Sequence, residues 1–434
     1  MRIKASDVAR ACAGTLVGGD VEAVGIGFDT RTLSAGQAFV AVVGERDGHD
    51  HLDDARSNGA PFAIVARGRA IDSLACVEVD DTVAALASLA SWCRDRLSCP
   101  VVGITGSAGK TSTKNLVTAV LGTALQKVHS APASLNNDIG VPVTLINAPA
   151  DADALVLEMG MRGFGEIARL CTFARPTIGL VTNVGDAHGE RVGGPEGIAR
   201  AKAELVRSIG PDGVVVLNSN DPRVAAMATG LPCRVVMVGR EPDCDVVWDA
   251  GTVEADGRVT FRAEHHGVSV ECTPSLPGVH MAANAALALG VAVAVGVDIG
   301  TAATGVGRES VESGRMRWCV APDGSRVLDD SYNANVASMI AALETVASVG
   351  NGPCVAVLGR MAEVPDEEES HRRVARRAAE LGVTIVALET VLYGTGSFDV
   401  DGAVTAVRES GATTVLVKGS RSSRTERVVA ALLS

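Results

Sequence analysis

One local feature limits this 434-residue chain more than any other. The apolar, β-branched run Val101–Thr105 leads directly into a Gly-rich turn, Gly106-Ser-Ala-Gly-Lys-Thr-Ser112, and then into a helical pattern. A run with no polar alternation is a strand covered on both faces, and such strands belong to mostly parallel sheets sandwiched by helices. More runs of this kind follow in ALVLEMG, TIGLVTNVG, GVVVLNSND and RVVMVG, with helical spacing between several of them, as in GIARAKAELVRSI. The fold class expected is therefore α/β.

The length is too great for one ordinary domain, and the pattern divides it in three. Residues 1–98 mix short apolar runs with turns and close on a linker helix over Thr82–Leu97. Residues 99–313 form a central parallel-sheet unit carrying the Gly-rich turn. Strand alternation around Asp243–Pro274 adds a small antiparallel extension to it. Residues 314–434, with strands at SRVLDD, PCVAVLG, VTIVAL and TTVLVKG, read as a smaller doubly wound, Rossmann-like domain. Ala282–Val297 is the most apolar stretch. It is shorter than the ~20 residues a membrane span needs, so a buried helix is expected.

The turn itself reads as a phosphate loop. Glycines let backbone N–H groups approach a polyphosphate, and the following helix N-terminus adds partial positive charge. Gly106, Ser107, Gly109, Lys110, Thr111 and Ser112 are the candidate contacts, with Lys110 reaching the terminal phosphates and the Thr111 hydroxyl available to Mg²⁺. The strict pattern is incomplete, because Ile104 stands five residues before Gly109. A kinase, a motor, a GTPase and a ligase all fit such a loop equally well.

Glu158 ends a strand, where open α/β sheets place ligand-binding groups, and a carboxylate there can hold the metal. His188 follows another strand end and reads as a loop surface residue or a ligand. Lys202, on a helix, reads as a solvated face or as part of the same cluster. Asp330 fits a helix cap, Asn284 a buried turn residue and Arg315 a linker arginine as well as they fit ligand roles.

The formal net charge of −12 leaves no basic face for a nucleic acid. Ten cysteines occur without a CxxC pair, so neither a zinc site nor a disulfide framework is signalled. No secretory leader is read at the start, and a cytoplasmic protein is expected.

Longer words then appear in order: GITGSAGKTSTK, LNNDIGVPVTL, LEMGMRGFGEI, ARAKAEL, LPGVHMAANAALAL, GRMRW, LDDSYNANVASM and VLVKGSR. The set resembles the Mur ligase family over nearly the whole chain, including DTRTLSAGQAFVAVVGERDGHDHLDDA in the first domain. The resemblance implies ATP-dependent amide-bond formation through an acyl phosphate in peptidoglycan precursor synthesis. In the branch with these words, D-alanyl-D-alanine is added to UDP-N-acetylmuramoyl-tripeptide, both small-molecule partners, with no membrane insertion and a monomer expected.

It further implies Thr111 and Glu158 on one Mg²⁺, His188 on a second, and a carbamylated Lys202 helping to hold it. Asn284 would contact adenine, Arg315 the γ-phosphate, and Asp330 with Asn333 the nucleotide. Asn136, Asn137 and Asp138 would face the muramoyl-peptide, while Thr30, Arg31, Asp47 and His49 belong to the uridine-nucleotide domain. Lys418 and Arg421 would lie near the dipeptide or phosphate. Lys110, His188, Lys202 and Arg315 would carry the chemistry.

Three departures stand out. Met281 occupies the position where the family has an Asn after its His. His188-Gly-Glu-Arg-Val-Gly193 alters the surroundings of the histidine. Gly359-Arg-Met-Ala-Glu-Val-Pro365 reshapes a loop on the amine side. A paralogue coupling a different amine or carboxylate, or a non-catalytic precursor-binding protein, are the alternatives.

Overall fold

The computed structural model describes residues 1–185, 192–350, 352–362 and 364–434. Its backbone is built on three main sheets that follow one another along the chain.

The central sheet has ten strands. Six consecutive parallel pairings run from Val128–Ser130 through Ala154–Glu158, Val101–Thr105, Ile178–Val181, Val214–Asn218 and Arg234–Gly239 to Val246–Trp248. Beyond that edge the pairing turns antiparallel, through Val259–His265 to Val268–Cys272 on one side and Thr252–Val253 on the other. The expected antiparallel extension is thus present. Val101–Thr105 lies between Ala154–Glu158 and Ile178–Val181, and all five of its residues are buried. Its continuous apolar text has that physical origin, since both faces are covered by helices.

The stretch expected as a buried helix forms Val279–Val295. It packs against the phosphate-loop helix Lys110–Leu121 and across Val214–Asn218 and Arg234–Gly239. Gly290 permits the approach, because a Cβ there would come within 2.5 Å of Val238. Among the described residues no helix is long and apolar enough to cross a membrane.

The N-terminal sheet of five strands is parallel except where Thr15–Val17 pairs with Ala75–Val79. The linker helix expected over Thr82–Leu97 runs from Thr82 to Arg94, capped by the Asp81 carboxylate, and packs against helices Gly140–Ile146 and Glu166–Ala174 of the central unit. The C-terminal sheet is parallel over five strands, with Arg317–Val320 added antiparallel at one edge. The chain is α/β with mixed, mostly parallel sheets.

Candidate active site

Strand geometry brings the site together. In a parallel sheet every strand ends on the same edge, so Thr105, Glu158 and Thr182 arrive side by side. The chain leaves Thr105 through Gly106, where a Cβ would lie 1.8 Å from Thr182 Oγ1, and reaches Gly109 with φ of 77°. Both positions require glycine, the first for space and the second for its left-handed backbone.

The loop is held from the neighbouring strand. Asn183 Oδ1 accepts from Ala108 N at 2.9 Å, its Nδ2 donates to Ala108 O at 3.0 Å, and Thr182 Oγ1 donates to the same carbonyl. Ser107 N also donates to Asn183 O at 3.1 Å, so the loop is fixed from its neighbour while the N-terminus of helix Lys110–Leu121 faces the cleft.

Three donors converge on the buried carboxylate of Glu158. Thr111 Oγ1 binds Oε2 at 2.8 Å, while Ser134 Oγ and Asn136 Nδ2 bind Oε1 at 2.8 and 2.7 Å. Burial pushes this carboxyl up, but Lys110 and the three hydrogen bonds outweigh it, so Glu158 stays below the usual carboxylate range. Lys110 Nζ donates to Gly106 O at 2.7 Å. Burial lowers Lys110 and drives Lys202 well below the ordinary lysine range, with the charge of Lys110 adding to the effect on Lys202.

Two clefts meet here. One, of about 400 Å³, is lined by the phosphate loop together with Glu158, His280, Asn284, Arg315, Asp330, Tyr332 and Lys418. The other, of about 460 Å³, is lined by Asn136, Asn137, Asp138, Arg162, Lys202 and Ala362, with Val83 from the linker helix. Ser107, Lys110, Asn136, Asn333, Ala334 and Asn335 line both.

The sequence-derived residues thus fall into distinct places. Arg315 lies in the first cleft with its guanidinium 4.1 Å from the Tyr332 ring centroid. Asp330 is buried against Lys418, accepts from Met316 N, and is raised by burial against the pull of Lys418. Lys418 also donates to Asn333 O at 2.9 Å and lines the first cleft. Asn284 approaches Gly109, and its Nδ2 lies 3.8 Å from Met281 Sδ; the thioether at 281 takes up a weak bond inside the core.

Asn137 Oδ1 accepts from Ile139 N and Gly140 N where helix Gly140–Ile146 begins, and Asp138 pairs with Arg169. Arg421 lines neither cleft and extends into solvent near Glu426. Thr30 and Arg31, in a turn, and Asp47 and His49, at the 3₁₀ turn Gly48–His51, lie beside the N-terminal sheet and outside both clefts. There Arg31 pairs with Asp29, and Thr30 O accepts from Asn58 Nδ2. Asp47 holds the buried His49. His188 lies outside the described residues. In the departing 359–365 loop, Met361 N donates to His371 Nε2 and Tyr393 OH to Gly359 O, which brings Ala362 to the second cleft.

Sequence reasoning missed Ser134 and Asn335. Asn335 caps helix Val336–Val349, and its Nδ2 reaches Ser107 O across the clefts at 3.4 Å. The spacing Asn335-x-x-Ser338 carries the cap, and a cap at a strand-to-helix turn was the available signal.

Fold and site together define the class, a phosphate-loop α/β protein with two adjoining polar clefts at the strand ends of a parallel sheet. The family model described as the Mur ligase middle domain matches residues 104–292, and the one described as the Mur ligase glutamate ligase domain matches residues 314–428. The chain is 38% identical over 400 residues to the UDP-N-acetylmuramoyl-tripeptide--D-alanyl-D-alanine ligase of Mycobacterium tuberculosis (strain ATCC 25618 / H37Rv), covering 85% of this chain and 77% of that one. This chain belongs to the Mur ligase family.

Among solved structures, MurF from Acinetobacter baumannii superposes with a TM-score of 0.89 at 28% identity, covering 100% of this chain and 99% of that one. The MurF ligase of Thermotoga maritima in complex with ADP gives 0.79 at 28% identity, with coverage of 94% and 96%.

Proposed function

We propose that this protein joins D-alanyl-D-alanine to the terminal carboxylate of UDP-N-acetylmuramoyl-tripeptide at the expense of ATP, in the cytoplasm. The observation that carries the reading is the pair of clefts with Ser107 and Lys110 on their shared wall. A triphosphate in one cleft then points its terminal phosphorus at an acid held in the other.

The tripeptide carboxylate oxygen bonds to the γ-phosphorus, and ADP leaves. The dipeptide amine next attacks the acyl carbon, phosphate departs, and the nitrogen loses a proton. Two anions must meet in the first step. Lys110, Arg315 and the loop N–H groups offset their repulsion as charge builds on the transferring oxygens.

The Thr111 hydroxyl and the Glu158 carboxylate fit a hard divalent cation. These oxygen donors suit Mg²⁺ completed by water and phosphate oxygens. Bound there, Mg²⁺ neutralises charge on the phosphates. Asn136, by orienting Glu158, serves the metal side as well as the peptide cleft. Lys202, buried and lowered, is suited as an amine to take up CO₂ as a carbamate, giving an anion for a second Mg²⁺ with His188. Asn284 would take adenine, Asp330 and Asn333 the rest of the nucleotide, and Lys418 would hold Asp330 in place. Asn137 and Asp138 would border the peptide, and Thr30, Arg31, Asp47 and His49 mark the uridine-nucleotide end. The domain limits 1–98, 99–313 and 314–434 go with this division of labour.

The test is the product. With ATP, Mg²⁺, UDP-N-acetylmuramoyl-tripeptide and D-alanyl-D-alanine, mass spectrometry should find the pentapeptide, with ADP formed one for one. Lys110→Ala should give none. The altered 359–365 loop motivates running a panel of amines alongside, and strong ADP release with another amine but not with D-alanyl-D-alanine would overturn the assignment.

A further inference from the structure

Lys114 has no part in that chemistry, yet its side chain is wholly buried. It sits one turn into the phosphate-loop helix. Its ammonium donates to the carbonyls of Ala131 at 2.7 Å and Ala133 at 3.1 Å, and lies 3.4 Å from Glu312 Oε1. A buried charge persists only where partners compensate it, so these contacts are a condition of the fold around it.

Glu312 comes from the segment that joins the central helices to the C-terminal sheet. Its Oε1 also accepts from Asn115 Nδ2, and its Oε2 lies 3.3 Å from Arg315 Nε. That Nε is buried and makes no hydrogen bond, so the ion pair with Glu312 and the Tyr332 face hold the guanidinium. On the other side of Lys114, the chain continues from Ala133 into Ser134 and Asn136, the two donors on Glu158 Oε1. Neither Lys114 nor Glu312 lines either cleft.

We propose that Lys114 and Glu312 form one positioning unit that sets two distant groups from a single helix: Arg315 against the terminal phosphate, and the 131–136 segment that aims Glu158. The inference rests on the reading of Arg315 and Glu158 as ATP-side groups. The unit spans the junction to the C-terminal sheet, so it ties the placement of that sheet to the phosphate loop.

Glu312→Gln keeps the shape and removes the charge. It should raise KM for ATP about tenfold and lower kcat severalfold, as expected of lost preorganisation at the transferring phosphate. KM for the UDP-peptide and for D-alanyl-D-alanine should stay within about twofold even though the melting temperature falls with the loss of the buried counter-charge; Glu312→Asp should recover part of both losses. In Lys114→Met/Glu312→Gln the losses in kcat/KM should fall short of the product of the singles. Should Lys114→Met not fold, the Glu312 pair decides alone. ATP kinetics within twofold of the parent in Glu312→Gln, or losses that multiply, would overturn the proposal. Arg315→Ala run alongside separates the cases, because normal ATP kinetics there would sink the reading of Arg315 rather than the unit that positions it.

Discussion

The N-terminal sheet and the central strand ends bury polar groups in opposite ways. In the N-terminal sheet His49 is 6% exposed, and both its ring nitrogens are engaged: Nδ1 lies 2.6 Å from Asp47 Oδ1, and Nε2 accepts from Ala66 N at 2.9 Å. Hydrogen bonds from His49, with Arg69 nearby, hold Asp47 down to about 2. Every partner there is supplied by the protein. At the central strand ends Lys110 and Lys202 are buried within electrostatic reach of each other, with Glu158 the opposite charge acting on Lys110. The first arrangement stabilises a fold. The second holds two lysines whose charged forms burial disfavours, and so leaves groups that a ligand or a modification can satisfy.

The largest effect should break or confirm that contrast at Lys202. On the carbamate role proposed for it, replacing Lys202 with Ala should lower turnover by about 10²–10³-fold, the scale of losing one preorganised charged group. Short carboxylic acids such as formate should partly restore the rate. Stability should hold or rise, because a buried amine whose charged form is disfavoured by desolvation is lost. A melting temperature lowered by more than about 5 °C would mean that Lys202 is paired like His49 and not held in reserve.

His49→Ala should behave in the reverse manner. It strands the Ala66 N–H and frees Asp47, which should cost about 2–3 kcal/mol of unfolding free energy with kcat unchanged. Denaturant unfolding and steady-state kinetics on one preparation check both halves. An unchanged unfolding midpoint with a raised KM for the UDP-peptide would move His49 from scaffold to ligand contact.

The same contrast explains what could be read from sequence. Gly109, Lys110 and Thr111 were legible because covalent adjacency fixes a strand, a turn and a helix in one line of text. Glu158 was legible because a parallel sheet carries every strand end to one edge. Two residues at strand 414–418 and just beyond it show the limit. Lys418 and Arg421 were read together, three positions apart, yet Lys418 is buried against Asp330 while the Arg421 side chain is 71% exposed. The reach of a side chain after a strand end depends on which way the loop turns, and composition does not encode that. Ser134, Asn335 and the Lys114–Glu312 contact join segments up to 228 positions apart, so only packing discloses them.

The smallest effect separates two histidines. His280 lies in the nucleotide-side cleft, where burial and then the charge of Lys418 push it down to about 4, with Glu344 opposing. Its folded value is below the 6.5 of an ordinary histidine, so the unfolded chain takes up the proton first as pH falls. Stability should therefore decline across the window from 6.5 to about 4, with no further contribution from His280 below it. The partial exposure of the ring limits the loss to roughly 1–2 kcal/mol. His280→Gln should flatten that part of the curve in urea unfolding at pH 7 and pH 4.5. If the slope persists unchanged, the ring is already charged in the folded cleft, and the positive charge there is larger than Lys110 and Arg315 supply.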